Sequence, residues 1–240
     1  MNNPKTSKPD KKTSYKERRL QAKKEARSRK LTWITLAVVA VFIVGAITVL
    51  AQSKSKPLEV AYDQLPVLGE KTAPVKIVEL GDFKCPTCQW FSQTIEPRLK
   101  KDFIDKGTAS LYFMNFTIIG EDSKTAALAG QAVFHQSNDE YWKYYDALYK
   151  NQGDEKVAWA TPQFLTDVAR KAGLKIDYDK LQNDIVSKTY QKELDEQNAF
   201  ADRNRFNGTP TLLINGRIYT KALDYATLKA EIEKAAQEAK

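Results

Sequence analysis

The chain has 240 residues and a formal net charge of +8 at pH 7, enough length for one large domain or two small ones. Of its 38 basic and 30 acidic residues, 12 and 3 fall within residues 1–30, which leaves 26 and 27 for the rest. The basic excess is therefore a property of the tail, and it gives no ground for a nucleic-acid-binding domain.

The basic tail runs into Leu31 to Ala51, an uncharged apolar stretch of 21 residues. About 20 such residues span a bilayer as a helix, which pairs all its own backbone groups. The basic flank stays cytoplasmic by the positive-inside rule, so the chain after the span is expected outside. A cleaved secretory signal is the rival, but its apolar region is shorter, about 7–15 residues. The expected organisation is a tail 1–30, a transmembrane anchor 31–51 and a linker 52–61.

Folded structure is expected from there on. Val75 to Leu80, β-branched and apolar except for Lys76 and Glu79, reads as a buried strand. Gly81-Asp82-Phe83-Lys84 breaks it, and Cys85-Pro86-Thr87-Cys88 opens a helix expected to run to about Lys106, with Gly107 as its stop. Thr108 to Phe116 reads as a second strand, so the order is β-α-β with a parallel crossover.

Glu121 to Arg205 has a helical pattern. Helices are expected over Ser123–Gln136, Asp139–Lys150, Thr161–Gly173, Tyr178–Asp184 and Lys188–Arg205. Thr161-Pro162 supplies N-cap and N1 chemistry for the third, and Gly173 its end. The aromatics of YWKYYDALY fit an amphipathic helix, and His135 an ordinary helix face. A turn at Asn207–Pro210 leads into Thr211–Ile214, Asn215-Gly216 marks a two-residue hairpin, and Asp224 caps a last helix.

Cys85 and Cys88 are the chain's two cysteines. A Cys-x-x-Cys at a helix start lies where unpaired N–H groups and the macrodipole favour a thiolate, the attacking species in disulfide exchange. Cys85 is expected to be the exposed nucleophile and Cys88, almost one turn on, the buried resolving thiol; Pro86 suits the first helical position. A zinc site needs about four ligands, against two cysteines and one distant histidine here. A structural disulfide closing so small a ring supplies only about 2 kcal/mol, and two inert thiols are a third alternative.

Glu79, six residues before Cys85, is either a buried acid able to exchange protons with a thiol or a solvent-facing strand residue. Thr209-Pro210, at the entry to a strand, is either a cis bond presenting the Thr209 backbone to an extended substrate or an ordinary trans proline on an edge strand. Trp90, beside the pair, is a natural optical reporter of its redox state.

The segments APVKIVELGDFKCPTCQWF and GTPTLLINGR, with a helical stretch between them, resemble the DsbA-like thiol–disulfide oxidoreductases, in particular the membrane-anchored BdbD type of Gram-positive bacteria. The resemblance covers about residues 62–240 and implies a thioredoxin-fold α/β domain, 62–120 and 206–240, with an inserted helical domain, 121–205. It implies that Cys85 and Cys88 are the redox pair and Glu79 the buried acid. It further implies that Pro210 is the cis-proline and that Pro86, Thr87, Thr209 and Pro210 contact substrate. The implied activity is oxidation of thiols in exported proteins, with a DsbB/BdbC-like quinone-linked membrane oxidase as partner and no required cofactor. The BdbD type can hold calcium, for which no ligands are assigned here. The dipeptide between the cysteines is Pro86-Thr87, where DsbA has Pro-His. A reductase of the same class and an anchored binding or chaperone module are the alternatives to the oxidase.

Overall fold

The computed structural model describes residues 56–239, with Trp33 and Val39 from the preceding part. The basic tail, the expected anchor apart from Trp33 and Val39, and linker residues 52–55 lie outside these described residues, among which no helix is long and apolar enough to cross a membrane.

Five strands form one sheet in the order β1-β3-β2-β4-β5. They are β1 (Val67–Leu68), β2 (Val75–Gly81), β3 (Ala109–Asn115), β4 (Thr211–Ile214) and β5 (Arg217–Tyr219). β2 is central and runs parallel to β3 and antiparallel to β4, with Glu79 opposite Phe113 on one side and Leu212 on the other. The β4–β5 turn at Asn215 and Gly216 has positive φ at both residues, 48° and 76°, as a two-residue hairpin of the expected kind requires.

The strand period of two assigns the faces. Val75, Ile77, Leu111, Phe113, Leu212 and Ile214 share a core with Phe83, Cys85 and Cys88. Val78, Leu80, Tyr112, Met114 and Leu213 face a smaller cluster that includes Leu65 and Ala201. Glu79 has the parity of the first set, so its carboxyl group enters the side of the sheet that carries the cysteines.

The helix after β2 begins as α1 (Pro86–Trp90), widens over Phe91–Ile95, tightens as α2 (Glu96–Leu99) and widens again over Lys100–Ile104. The Glu96 N–H reaches Phe91 O, and the Asp105 N–H reaches Lys100 O, both one residue beyond the α pattern. Pro97 explains the first widening: it has no N–H for Gln93 O, and its ring crowds that carbonyl. Phe91, Ile95 and Leu99 nevertheless stay buried against the sheet.

Five helices lie between β3 and β4: α3 (Glu121–Phe134), α4 (Asn138–Lys150), α5 (Pro162–Lys171), α6 (Tyr178–Val186) and α7 (Gln191–Arg203). Ser137, Thr161 and Asp177 cap α4, α5 and α6 by accepting from Glu140 N, Phe164 N and Lys180 N. α4 is more deeply inserted than a surface amphipathic helix, since Tyr141, Trp142, Tyr144, Tyr145, Leu148 and Tyr149 are all buried. The last helix, α8 (Tyr225–Glu238), is capped by Asp224, as its sequence implies. His135 is a helix-end residue stacked on Tyr190 at 4.1 Å and paired with Glu193 at 2.8 Å.

Candidate active site

β2 delivers the chain to a short loop, and the Asp82 carboxylate organises that loop. Its Oδ1 accepts from Lys84 N at 2.8 Å, and its Oδ2 accepts from Ile118 N at 2.8 Å and Ile119 N at 3.0 Å. The segment after β3 is thereby tied to the loop that carries the cysteines. Lys84 is buried, and its ammonium group pairs with Asp122 Oδ1 at 2.5 Å and donates to Val157 O at 3.1 Å. Asp122 Oδ2 accepts from the backbone of Trp159 and Ala160. A buried ammonium of this kind persists only when it is paired and hydrogen-bonded, and Asp122 and Val157 provide the pairing and the hydrogen bond.

Cys85 is the N-cap of α1, with extended backbone (φ −78°, ψ 120°), and Pro86 follows at the first helical position. Both cysteines are free. Cys85 is more covered than an exposed nucleophile would be, with 5% of its surface accessible against 0% for Cys88. Two threonines approach the Cys85 sulfur. Thr87 Oγ1 lies 2.9 Å from Cys85 Sγ, and Thr209 O lies 3.4 Å from the same sulfur. The Thr87 hydroxyl also reaches Thr209 O, at 3.1 Å. Thr87 and Thr209 thus meet at the sulfur from opposite ends of the sequence, and the Thr209–Pro210 bond beside them is cis.

The two thiols are strongly unequal. The Cys85 pKa falls to about 5, chiefly through hydrogen bonding from the Cys88 thiol, with Thr209, Thr87 and the Cys88 N–H adding to it against the cost of burial. Cys88 is held well above the ordinary thiol range by burial first and then by Cys85 and Glu79. Opposite electrostatic fates for neighbouring thiols separate a nucleophile or leaving group from a resolving group.

Glu79 is fully buried, which removes the solvent-facing alternative. Burial pushes its pKa up to about 8, with Glu96 and Cys85 adding to the rise and a hydrogen bond from Tyr145 opposing it. At neutral pH the group is mostly protonated, and it is coupled to the field at Cys88.

Comparison with known proteins places this arrangement. Residues 63–234 match the thioredoxin family model. The chain is 34% identical over 84% of its length to probable disulfide bond formation protein D of Bacillus cereus, 94% of which is covered. It is 36% identical over 70% of its length to disulfide bond formation protein D of Bacillus subtilis, 76% of which is covered. The crystal structure of oxidised BdbD from Bacillus subtilis superposes with a TM-score of 0.72 at 32% identity, covering 75% of this chain and 97% of the other. The chain belongs to the DsbA-like thioredoxin-fold oxidoreductases.

As a DsbA-like protein it is a thiol–disulfide oxidoreductase with a thioredoxin fold and a helical insertion. Such enzymes carry their electrons in the cysteine pair and need no cofactor. Among the described residues no three His, Cys, Asp or Glu side chains come together as a metal site. Sequence reasoning passed over Asp82, Lys84, Tyr145 and Gln152, whose partners lie 36 to 73 residues away. The one local signal was a pair of charged residues, Asp82 and Lys84, inside a stretch otherwise apolar enough to be buried.

Proposed function

We propose that this chain is a membrane-anchored dithiol oxidase that donates the Cys85–Cys88 disulfide to cysteine pairs of exported proteins. The observation that carries the direction is the stabilised Cys85 sulfur at the N-terminus of α1, since a low-pKa thiol leaves readily. A substrate thiolate attacks Cys85 Sγ, the Cys85–Cys88 bond breaks, and Cys88 departs with the electron pair. Glu79, protonated at neutral pH, supplies the proton that Cys88 takes up. The second substrate thiolate then attacks its own partner sulfur, the mixed disulfide breaks, and Cys85 leaves as a thiolate. The substrate has lost two electrons and the enzyme has gained them.

Pro86, Thr87, Thr209 and Pro210 form the substrate-facing rim in this reading, with the backbone beside the cis bond pairing an extended segment. Residues 62–120 and 206–240 act as the thioredoxin-like domain and 121–205 as the inserted helical domain. The basic tail 1–30 and the apolar stretch 31–51 support a single-pass anchor that holds the catalytic domain outside the cytoplasm. Re-oxidation then falls to a DsbB/BdbC-like quinone-linked membrane oxidase.

The test uses two variants with a reduced, cysteine-paired exported protein. Cys85→Ser should abolish oxidation, and Cys88→Ser should accumulate a mixed disulfide at Cys85, seen as a mass increase removed by reductant. Full activity in Cys85→Ser would overturn the assignment.

A further inference from the structure

The end of α4 holds the cysteine loop through groups not used in the chemistry above. Tyr149 Oη donates to Asp82 O at 3.3 Å, and Tyr149 O accepts from Gln89 Nε2 at 2.7 Å. Just past the helix, Gln152 Nε2 donates to Phe83 O at 2.8 Å and to Cys85 O at 3.1 Å. An amide nitrogen has two protons, and both are committed to carbonyls on either side of Lys84.

The Cys85 carbonyl is a consequential place to grip. It also accepts the Gln89 N–H at 3.1 Å, the first intrahelical bond of α1. Its direction is set by ψ of Cys85, and the same angle decides whether the first-turn N–H groups face the Cys85 sulfur. Two donors from different elements therefore fix one torsion.

We propose that Gln152 is a positioning residue of the redox site, a side chain of the helical insertion that locks the Cys85 carbonyl and so aims the first turn of α1 at the Cys85 sulfur. This rests on Cys85 being the exchanging thiol. Gln152 touches no reacting atom and acts through the backbone. The titratable groups around the pair are Cys88 on the same helix, Glu79 on β2, and Tyr145 and Tyr149 on α4. A Gln152→Met exchange alters none of them and keeps the side-chain length.

The experiment compares full-length reduced chain, in detergent, as wild type, Gln152→Met and Gln89→Met. Thiolate absorbance near 240 nm is followed against pH, beside the rate of glutathione attack on each oxidised form. Gln89→Met also removes a hydrogen bond between α1 and α4, but its side chain does not touch the Cys85 carbonyl. The Cys85 midpoint should rise by about one unit in Gln152→Met, about tenfold less thiolate at a pH below it, and stay in place in Gln89→Met. Equal shifts in both variants, or none in Gln152→Met, would overturn the proposal. If Gln152→Met does not fold, exchange of the two Gln152 side-chain amide protons in the wild type decides: slow exchange supports the lock, and exchange at the free-amide rate overturns it. A wild-type Cys85 titrating as an ordinary thiol would instead overturn the nucleophile assignment, and the proposal with it.

Discussion

Tyr145 Oη donates a 2.7 Å hydrogen bond to Glu79 Oε2 in the buried core, while Glu79 Oε1 has no partner. α4 thus brings a phenol down onto the central strand beneath the cysteines, half-satisfying an acid that the fold does not otherwise accommodate. A carboxyl group buried without a counter-charge is retained at a cost in stability, which points to use rather than structure.

That cost has a defined pH dependence. The native pKa of Glu79 is raised by burial from 4.5 to about 8, so between these values the unfolded chain ionises while the native protein stays protonated. Stability therefore falls as pH rises from 4.5 to about 8, and nothing is lost below that window. Glu79→Gln should stabilise the domain by up to about 4 kcal/mol at pH 7.5 and hardly at pH 4, read by urea denaturation at both. The same variant should slow reduction of the disulfide, because Cys88 then departs without its proton donor.

Cys85 has the opposite sign. Its native pKa is depressed from 9.0 to about 5, chiefly by the Cys88 hydrogen bond. The stabilisation of the reduced form is thus fully present above pH 9 and is lost as pH falls through about 5. The disulfide form has no such group. The urea midpoint of the reduced protein should therefore fall relative to the oxidised one as pH is lowered from 9 to 5. Iodoacetamide labelling of Cys85 should have its midpoint near pH 5, with Cys88 unlabelled throughout that range.

Thr87→Ala removes the hydroxyl that lies 2.9 Å from Cys85 Sγ. A hydrogen bond to a charged group contributes about 1.5–3 kcal/mol, and water at the rim replaces part of it. The Cys85 midpoint should rise by about half a unit to one unit, with little change in thermal stability of the oxidised form.

Lys84→Met strands the Asp122 carboxylate, which would keep its Trp159 and Ala160 N–H partners but lose its cation. A loss of about 3 kcal/mol is expected. Adding Asp122→Asn should recover a substantial part, because the two side chains are directly coupled. Urea denaturation of the three variants and the wild type closes the cycle.

Much of this site was legible because its parts are local patterns. Cys85-Pro86-Thr87-Cys88 after a β-branched strand, a lone Glu79 inside that strand, and Asn215-Gly216 between short strands each carry their meaning within a few residues. β1 was not legible, since a strand of two residues, Val67 and Leu68, has no periodicity. The widened helix was not legible because the apolar helical pattern continues on both sides of Pro97. Tyr145, Tyr149 and Gln152 look like ordinary helix and helix-end residues. Their roles exist only once α4 is laid across the loop at 82–85, a contact spanning more than 60 residues of chain. The same holds for the approach of Thr209 O to the Cys85 sulfur.

The direction of electron flow is tested most directly by the reduction potential of the Cys85–Cys88 pair, equilibrated in glutathione buffers and read by thiol labelling. A stabilised Cys85 thiolate makes the reduced form favourable, so the value expected is about −120 to −180 mV, in the range of DsbA and the isomerases. A value near that of thioredoxin, about −270 mV or lower, would contradict the oxidase and make the dithiol a donor.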